Sequence, residues 1–110
     1  MTYNKYGARK LVCDGIKYDS MAEHKRHQDL LWLEKGGHID QLVLKPRFDL
    51  VVNGKKICRY TADFGYHEVS TFKAVIEDVK GYASRDFVLR FKLAQALFPQ
   101  YEFRIYKQKG

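Results

Sequence analysis

The stretch "AVIEDVKGY", residues 74–82, sets two acids and a lysine at the end of an apolar run. In a strand, side chains two residues apart share a face, so Asp78 and Lys80 project together while Glu77 points away with Val75 and Val79. Upstream, "YTADFGY" puts Asp63 near the end of a second strand. Two carboxylates and an ammonium can thus meet. Hydrolysis of a phosphodiester needs charge neutralised on the phosphate, hydroxide generated from water and an alkoxide helped to leave. Carboxylates holding a divalent cation such as Mg²⁺, or Mn²⁺ in its place, supply these through Lewis acidity and a lowered water pKa. A nearby lysine can orient water or stabilise the pentacovalent charge. Taken singly, each acid reads first as a solvated strand end, and it is the combination that points to chemistry.

Glu23 is a third position of this kind. Ser20-x-x-Glu23 has the form of a capping box, in which the glutamate reaches back to the amide of the N-cap residue. Glu23 also lies seven residues before Leu30, about 20° from the same helical direction at 100° per residue, and so lines up with a core-facing position. Both readings stay open.

These residues need elements to carry them. Asp14-Gly15 in "KLVCDGIKYDS" marks a tight N-terminal β-hairpin. Ser20 opens a helix over about residues 20–35, stopped by Gly36-Gly37. "QLVLKPRFDLVV" and "ICRYTADFGY" form two strands joined at Asn53-Gly54, with Pro46 marking an edge or bulge, and "TFKAVIEDVKG" forms a third. A second helix begins after Ser84, with Phe87, Phe91, Ala94 and Phe98 at helical spacing and Pro99 beyond its end, and "YEFRIY" closes the chain as a strand.

In that order, the Ser-x-x-Glu helix, "AD" ending one strand and "EDVKG" on the next resemble the PD-(D/E)XK nuclease superfamily. More narrowly, "SMAEHKRHQDLLWLEKGG", "LKPRFDL", "TADF" and "EDVKG" resemble a group of small phage and prophage proteins assigned to that superfamily, with a layout similar to the transposon end-cleaving endonucleases. The resemblance runs from Tyr6 to Tyr106. It implies an α/β, restriction-endonuclease-like αβββαβ core, a central mixed sheet flanked by helices, preceded here by the hairpin. It also implies Asp63 and Asp78 as metal ligands, the Val79 carbonyl as a third oxygen, Lys80 as the catalytic base partner and Glu23 as the helix-borne acid. Ala62 stands where the pattern has proline, and the extra acid Glu77 leaves open which carboxylate faces the metal, since a bulge would exchange them.

Length and charge set the frame. The chain has 110 residues, enough for one domain with one modest core, and residues 1–110 are read as one. Twenty Lys and Arg against 13 Asp and Glu give a net charge of +7, which favours a polyanionic partner, and the resemblance implies that this partner is DNA. Arg9, Lys10 and Lys17 near the hairpin, and Arg85, Arg90 and Lys92 in the second helix, are candidate phosphate contacts or solvated faces. No apolar run is long enough for a membrane span or a signal peptide, and Cys13 and Cys58 have neither disulfide-framework nor zinc spacing, so a cytoplasmic location is expected, the host's if the gene is a phage's. His24 and His27 read as helix surface, with a zinc pair as the weaker option. Trp32 and the tyrosines read as core, and Gln95 as semi-buried.

The expectation is therefore a Mg²⁺-dependent endodeoxyribonuclease acting in phage recombination, repair or replication, including branched-DNA or Holliday-junction resolution, and working as a homodimer because a two-strand cut needs two sites. The alternatives are a non-catalytic nucleic-acid-binding protein on the same fold, or a small basic RNA binder, which would show aromatics exposed on a sheet face.

Overall fold

The computed structural model describes residues 11–13 and 16–107, with side chains from Tyr18 onward. Strands β1 (Leu11–Cys13) and β2 (Ile16–Tyr18) pair antiparallel as the expected hairpin, and its Asp14-Gly15 turn lies outside the described residues. Helix α1 (Met21–Lys35) starts where Ser20 Oγ accepts the Glu23 amide at 3.1 Å. It ends at Gly36, after which Gly37 takes a left-handed φ of 79° that glycine adopts without steric cost.

The two strands expected before and after Asn53-Gly54 are each broken in two. One arm is β3 (Ile39–Leu44) and β4 (Arg47–Val52), and the other is β5 (Lys55–Thr61) and β6 (Phe64–Glu68). Pro46 has no amide to give a ladder, and Lys45 before it is held at φ 55°, in the left-handed region that non-glycine residues seldom occupy. The arms stay paired through this bend: the Lys45 amide donates to the Asp63 carbonyl and the Ala62 amide to the Pro46 carbonyl, both at 3.0 Å. The result is a bent ribbon whose near half joins the main sheet and whose far half, β4–β5, folds over it.

The main sheet runs β3-β6-β7-β8, with β7 (Lys73–Val79) antiparallel to β6 and parallel to β8 (Tyr101–Tyr106). The parallel pair is connected through helix α2 (Arg85–Leu97), capped by Ser84. The helix, three-strand, helix, strand order of the αβββαβ core and its mixed sheet are present.

Each face of the sheet has its own core. Leu30 of α1 packs with Ile39, Phe64, Tyr66 and Val75 on one side. Phe91 and Ala94 of α2 pack with Phe48, Leu50, Tyr60, Ile76 and Phe103 on the other, where β4–β5 and α2 form the cover. Because β7 is central and covered on both faces, Val75 through Asp78 are all buried, and alternation sends Glu77 to the α1 side and Asp78 to the α2 side.

Glu77 is fully engaged there. Arg26 donates to both its oxygens, from Nε at 2.8 Å and Nη2 at 2.9 Å, and the Tyr66 hydroxyl donates to Oε1 at 2.8 Å. Burial and then the adjacent Glu77 charge push the Tyr66 hydroxyl up to about 12, so it remains a donor. Arg26 also lies 4.0 Å from the ring centre of Tyr106, which fixes α1 across β7 and β8. Removing one partner of a buried pair leaves the other charge uncompensated. Arg26→Met should therefore destabilise the fold by about 3 to 5 kcal/mol in urea denaturation at pH 7, and adding Glu77→Gln should recover part of the loss; an unchanged midpoint would mean that this pair does not hold α1 in place.

Candidate functional site

Two segments bring three acids together where the ribbon bends beside the end of β7. The N-cap turn of α1 contributes Asp19 and Glu23, and the break between β5 and β6 contributes Asp63. One oxygen from each of these three lies within 4.8 Å of the other two. Lys45, from the opposite side of the bend, puts its ammonium among them, 2.8 Å from Glu23 Oε1, 3.0 Å from Asp19 Oδ2 and 3.2 Å from Asp63 Oδ1.

Glu23 is 4% exposed and lies in one buried stripe of α1 with His27 and Leu30, as its helical angle implies. It is also part of a cap, in altered form: Oε2 accepts the amide of Asp19 at 3.3 Å, one residue before the N-cap. Burial raises the Glu23 carboxyl above its usual value, against the pull of the Lys45 hydrogen bond. For Lys45, burial alone would lower the ammonium, but bonds to Glu23 and Asp19 outweigh it and hold it above the usual lysine range.

Asp63 joins this cluster to β7, since its Oδ2 accepts the Val79 amide at 2.8 Å. The group of Val79 seen to contact an acid is thus its N–H. Just before the Phe64–Glu77 pair the Asp63 amide donates to the Glu77 carbonyl at 3.2 Å, which keeps Asp63 beside the end of β7. Asp78 itself is 2% exposed and turns to the α2 side, where the Tyr60 hydroxyl donates to its Oδ2. Burial pushes the Asp78 carboxyl up to about 6, while the charges of Lys80 and Lys45 oppose the rise and that of Glu23 adds to it. The charged groups of the two clusters therefore act on one another.

Lys80 lies with its ammonium 4.7 Å from the ring centre of Phe87. Asp78 and Lys80 line a cleft of about 460 Å³ with Arg59, Thr61, Ser84 and Arg90. Arg90 is anchored there by the Arg59 carbonyl at 2.9 Å and by Asp86 at 3.0 Å. Over residues 3–109 the sequence matches the model of a family described as "Protein of unknown function (DUF1064)". The chain belongs to the DUF1064 family. No curated protein and no solved structure matches it.

In this DUF1064 member the expected site residues fall into two adjoining sets, Glu23 with Asp63 and Asp78 with Lys80. Glu77 is held on the other side of the sheet by Arg26. Arg85 lies at a separate shallow pocket with Tyr82 and Leu89, Lys92 is exposed on α2, and Arg9, Lys10 and the Lys17 side chain lie outside the described residues. Asp19, Lys45 and Tyr60 are not among the expected site residues. Asp19 adjoins the cap that signals Glu23, and Lys45 precedes the proline that signals the break.

Three smaller expectations are corrected. His27 is buried and hydrogen-bonded to the Tyr18 hydroxyl at 2.5 Å, and His24 packs edge-on against the same ring, so both are oriented by Tyr18. Burial and then His24 lower the His27 imidazole below its usual value, which favours its neutral form. Trp32 is 71% exposed and Gln95 is exposed, because each lies off the narrow face that its helix presents to the sheet.

The Asp78 shift has a defined pH signature. A carboxyl whose folded value exceeds its unfolded one holds its proton more tightly in the folded chain, so its contribution is complete below the ordinary value of 3.8 and is lost as pH rises through about 6. The stability advantage of Asp78→Asn over the parent should therefore grow between pH 4 and pH 7 by up to about 3 kcal/mol, then level off, in urea denaturation with EDTA present. A gap that is constant or narrows with pH would contradict the environment described for Asp78.

Proposed function

We propose that this chain is a metal-dependent DNA endonuclease of the PD-(D/E)XK type, related to the small phage and prophage group, with Mg²⁺ or Mn²⁺ as its cofactor. The observation that carries the reading is the meeting of the two clusters at the end of β7: Glu23 and Asp63 on one side, Asp78 and Lys80 opening into a cleft lined by Arg59 and Arg90 on the other. The donor set fits a hard divalent cation, since three carboxylate oxygens within 4.8 Å of one another match the span of ligands around such an ion, and a positive ammonium already sits among them. Asp19, Glu23 and Asp63 would hold the cation, and the resemblance adds Asp78 and the Val79 carbonyl from the end of β7 as further oxygens. Bound there, it supplies Lewis acidity and an acidified water.

The chain's own groups do the rest. Lys80, steadied over Phe87, offers a positive charge to the reacting phosphate. Arg59 and Arg90 supply charge along the cleft, and the +7 total favours the approach of DNA. Tyr60 orients Asp78 through a buried hydroxyl. A role in phage recombination, repair or replication, and a site of action in the host cytoplasm, follow from the same resemblance. Among the described residues no helix is long and apolar enough to cross a membrane.

Asp63→Asn, Asp78→Asn and Lys80→Ala should each slow cleavage of labelled DNA by about 10²-fold to 10³-fold. DNA affinity in a gel-shift assay with Ca²⁺ should hold or rise in the two Asp variants, because a lost carboxylate repels phosphate less. Variants that cut as fast as the parent would remove this site. A parent that binds DNA but cuts none with either cation would leave the non-catalytic binder. Cutting both strands further implies a two-fold dimer, seen as twice the chain mass in light scattering at working concentration; a fully active monomer would refute the dimer alone.

A further inference from the structure

We propose that Lys45 is a displaceable internal counter-ion, a positioning residue that gathers Asp19, Glu23 and Asp63 around its ammonium and must withdraw for a divalent cation to enter, thereby setting the affinity of the site. The inference rests on the metal-site reading above and concerns a residue that this reading does not use.

Three observations lead to it. The ammonium is 2.8 to 3.2 Å from an oxygen of each acid. A cation ligated by those oxygens would lie about 2.0 to 2.6 Å from them, too close to the nitrogen for both charges to remain. Second, the ion pairs are unequal in burial: Glu23 is 5% exposed at its side chain and Asp63 12%, whereas Lys45 is 35% exposed and Asp19 61%. The lysine has a path to water that Glu23 lacks, so an exchange moves the flexible cation and leaves the carboxylates in place. Third, Lys45 is held at φ 55° beside Pro46, and its amide is bonded to the carbonyl of Asp63, the residue its side chain also pairs with. Backbone strain of this kind persists where the surroundings over-determine it, and here it aims the side chain into the acids.

Two ligands that exclude one another are reciprocally coupled, so removing one strengthens the other. In Lys45→Met the acids lose their counter-charge. Without added cation the variant should melt below the parent, and in a calorimetric titration with Mn²⁺ alone it should bind on the order of tenfold more tightly. Mn²⁺ should also raise its melting temperature by more than it raises the parent's. Lys45→Arg, which keeps the charge, should restore the parent's behaviour. A Lys45→Met chain that is unfolded alone but folds on addition of Mn²⁺ meets the same expectation. Equal or weaker Mn²⁺ binding in Lys45→Met, or a variant that Mn²⁺ fails to fold, overturns the proposal. An affinity contrast in a protein that cuts no DNA would remove the nuclease reading alone, and a parent that cuts DNA with no contrast would remove the counter-ion alone.

Discussion

Carboxylates within 4.8 Å of one another repel, and the ammonium of Lys45 is what makes the gathering of Asp19, Glu23 and Asp63 tolerable. The rest of the site depends on how that charge is delivered. Lys45 and Asp63 face each other across the ribbon bend, and one backbone hydrogen bond between them sets the register of their side chains. The same bend turns β4–β5 over the α2 face of the sheet, where Tyr60 meets Asp78. The N-cap of α1 closes the third side, placing Glu23 one turn into the helix and Asp19 just before it. Helix start, ribbon bend and strand end therefore form one unit.

Strand β7 shows how a single central strand carries two buried acids with different consequences. Glu77, on the α1 side, receives a guanidinium through two hydrogen bonds and a phenol through a third. Asp78, on the α2 side, receives one neutral hydroxyl, and its compensating lysines act from farther away. An acid compensated in this limited way keeps unmet demand for positive charge. The first arrangement fixes a helix to a sheet, and the second leaves a carboxylate suited to a cation or a proton.

Much of this was legible in the sequence because local chemistry is strong there. Ser20 and Ser84 cap helices, Asn53-Gly54 turns the ribbon, and the alternation along "VIEDVK" separates Glu77 from Asp78 without reference to any partner. The helical angle of Glu23 to Leu30 anticipated its burial. Contacts between distant segments were not legible. Pro46 announced a disturbance, yet whether it bends a strand or marks an edge depends on what the far arm does at Ala62 and Asp63. Lys45 looks like any lysine until that bend aims it. Tyr60 reads correctly as core, but the use of its hydroxyl depends on β4–β5 folding over the sheet. His27 was misread as surface because the covering ring, Tyr18, comes from a hairpin whose position the helix pattern does not encode. Trp32, two residues beyond the buried Leu30, is turned about 200° from it around the helix and faces away from the sheet, which aromatic character alone does not convey.

These two adjoining clusters are proposed to form a cation-dependent centre for cutting DNA. The most direct test is incubation of the purified, unaltered chain with a panel of end-labelled linear, nicked and branched DNAs, in Mg²⁺, in Mn²⁺ and in EDTA, with products resolved on a denaturing gel. Discrete shorter strands from at least one substrate with Mg²⁺ or Mn²⁺, and intact strands with EDTA, are the expected result. Intact strands from every substrate in both cations, or cleavage that continues unchanged in EDTA, would contradict it.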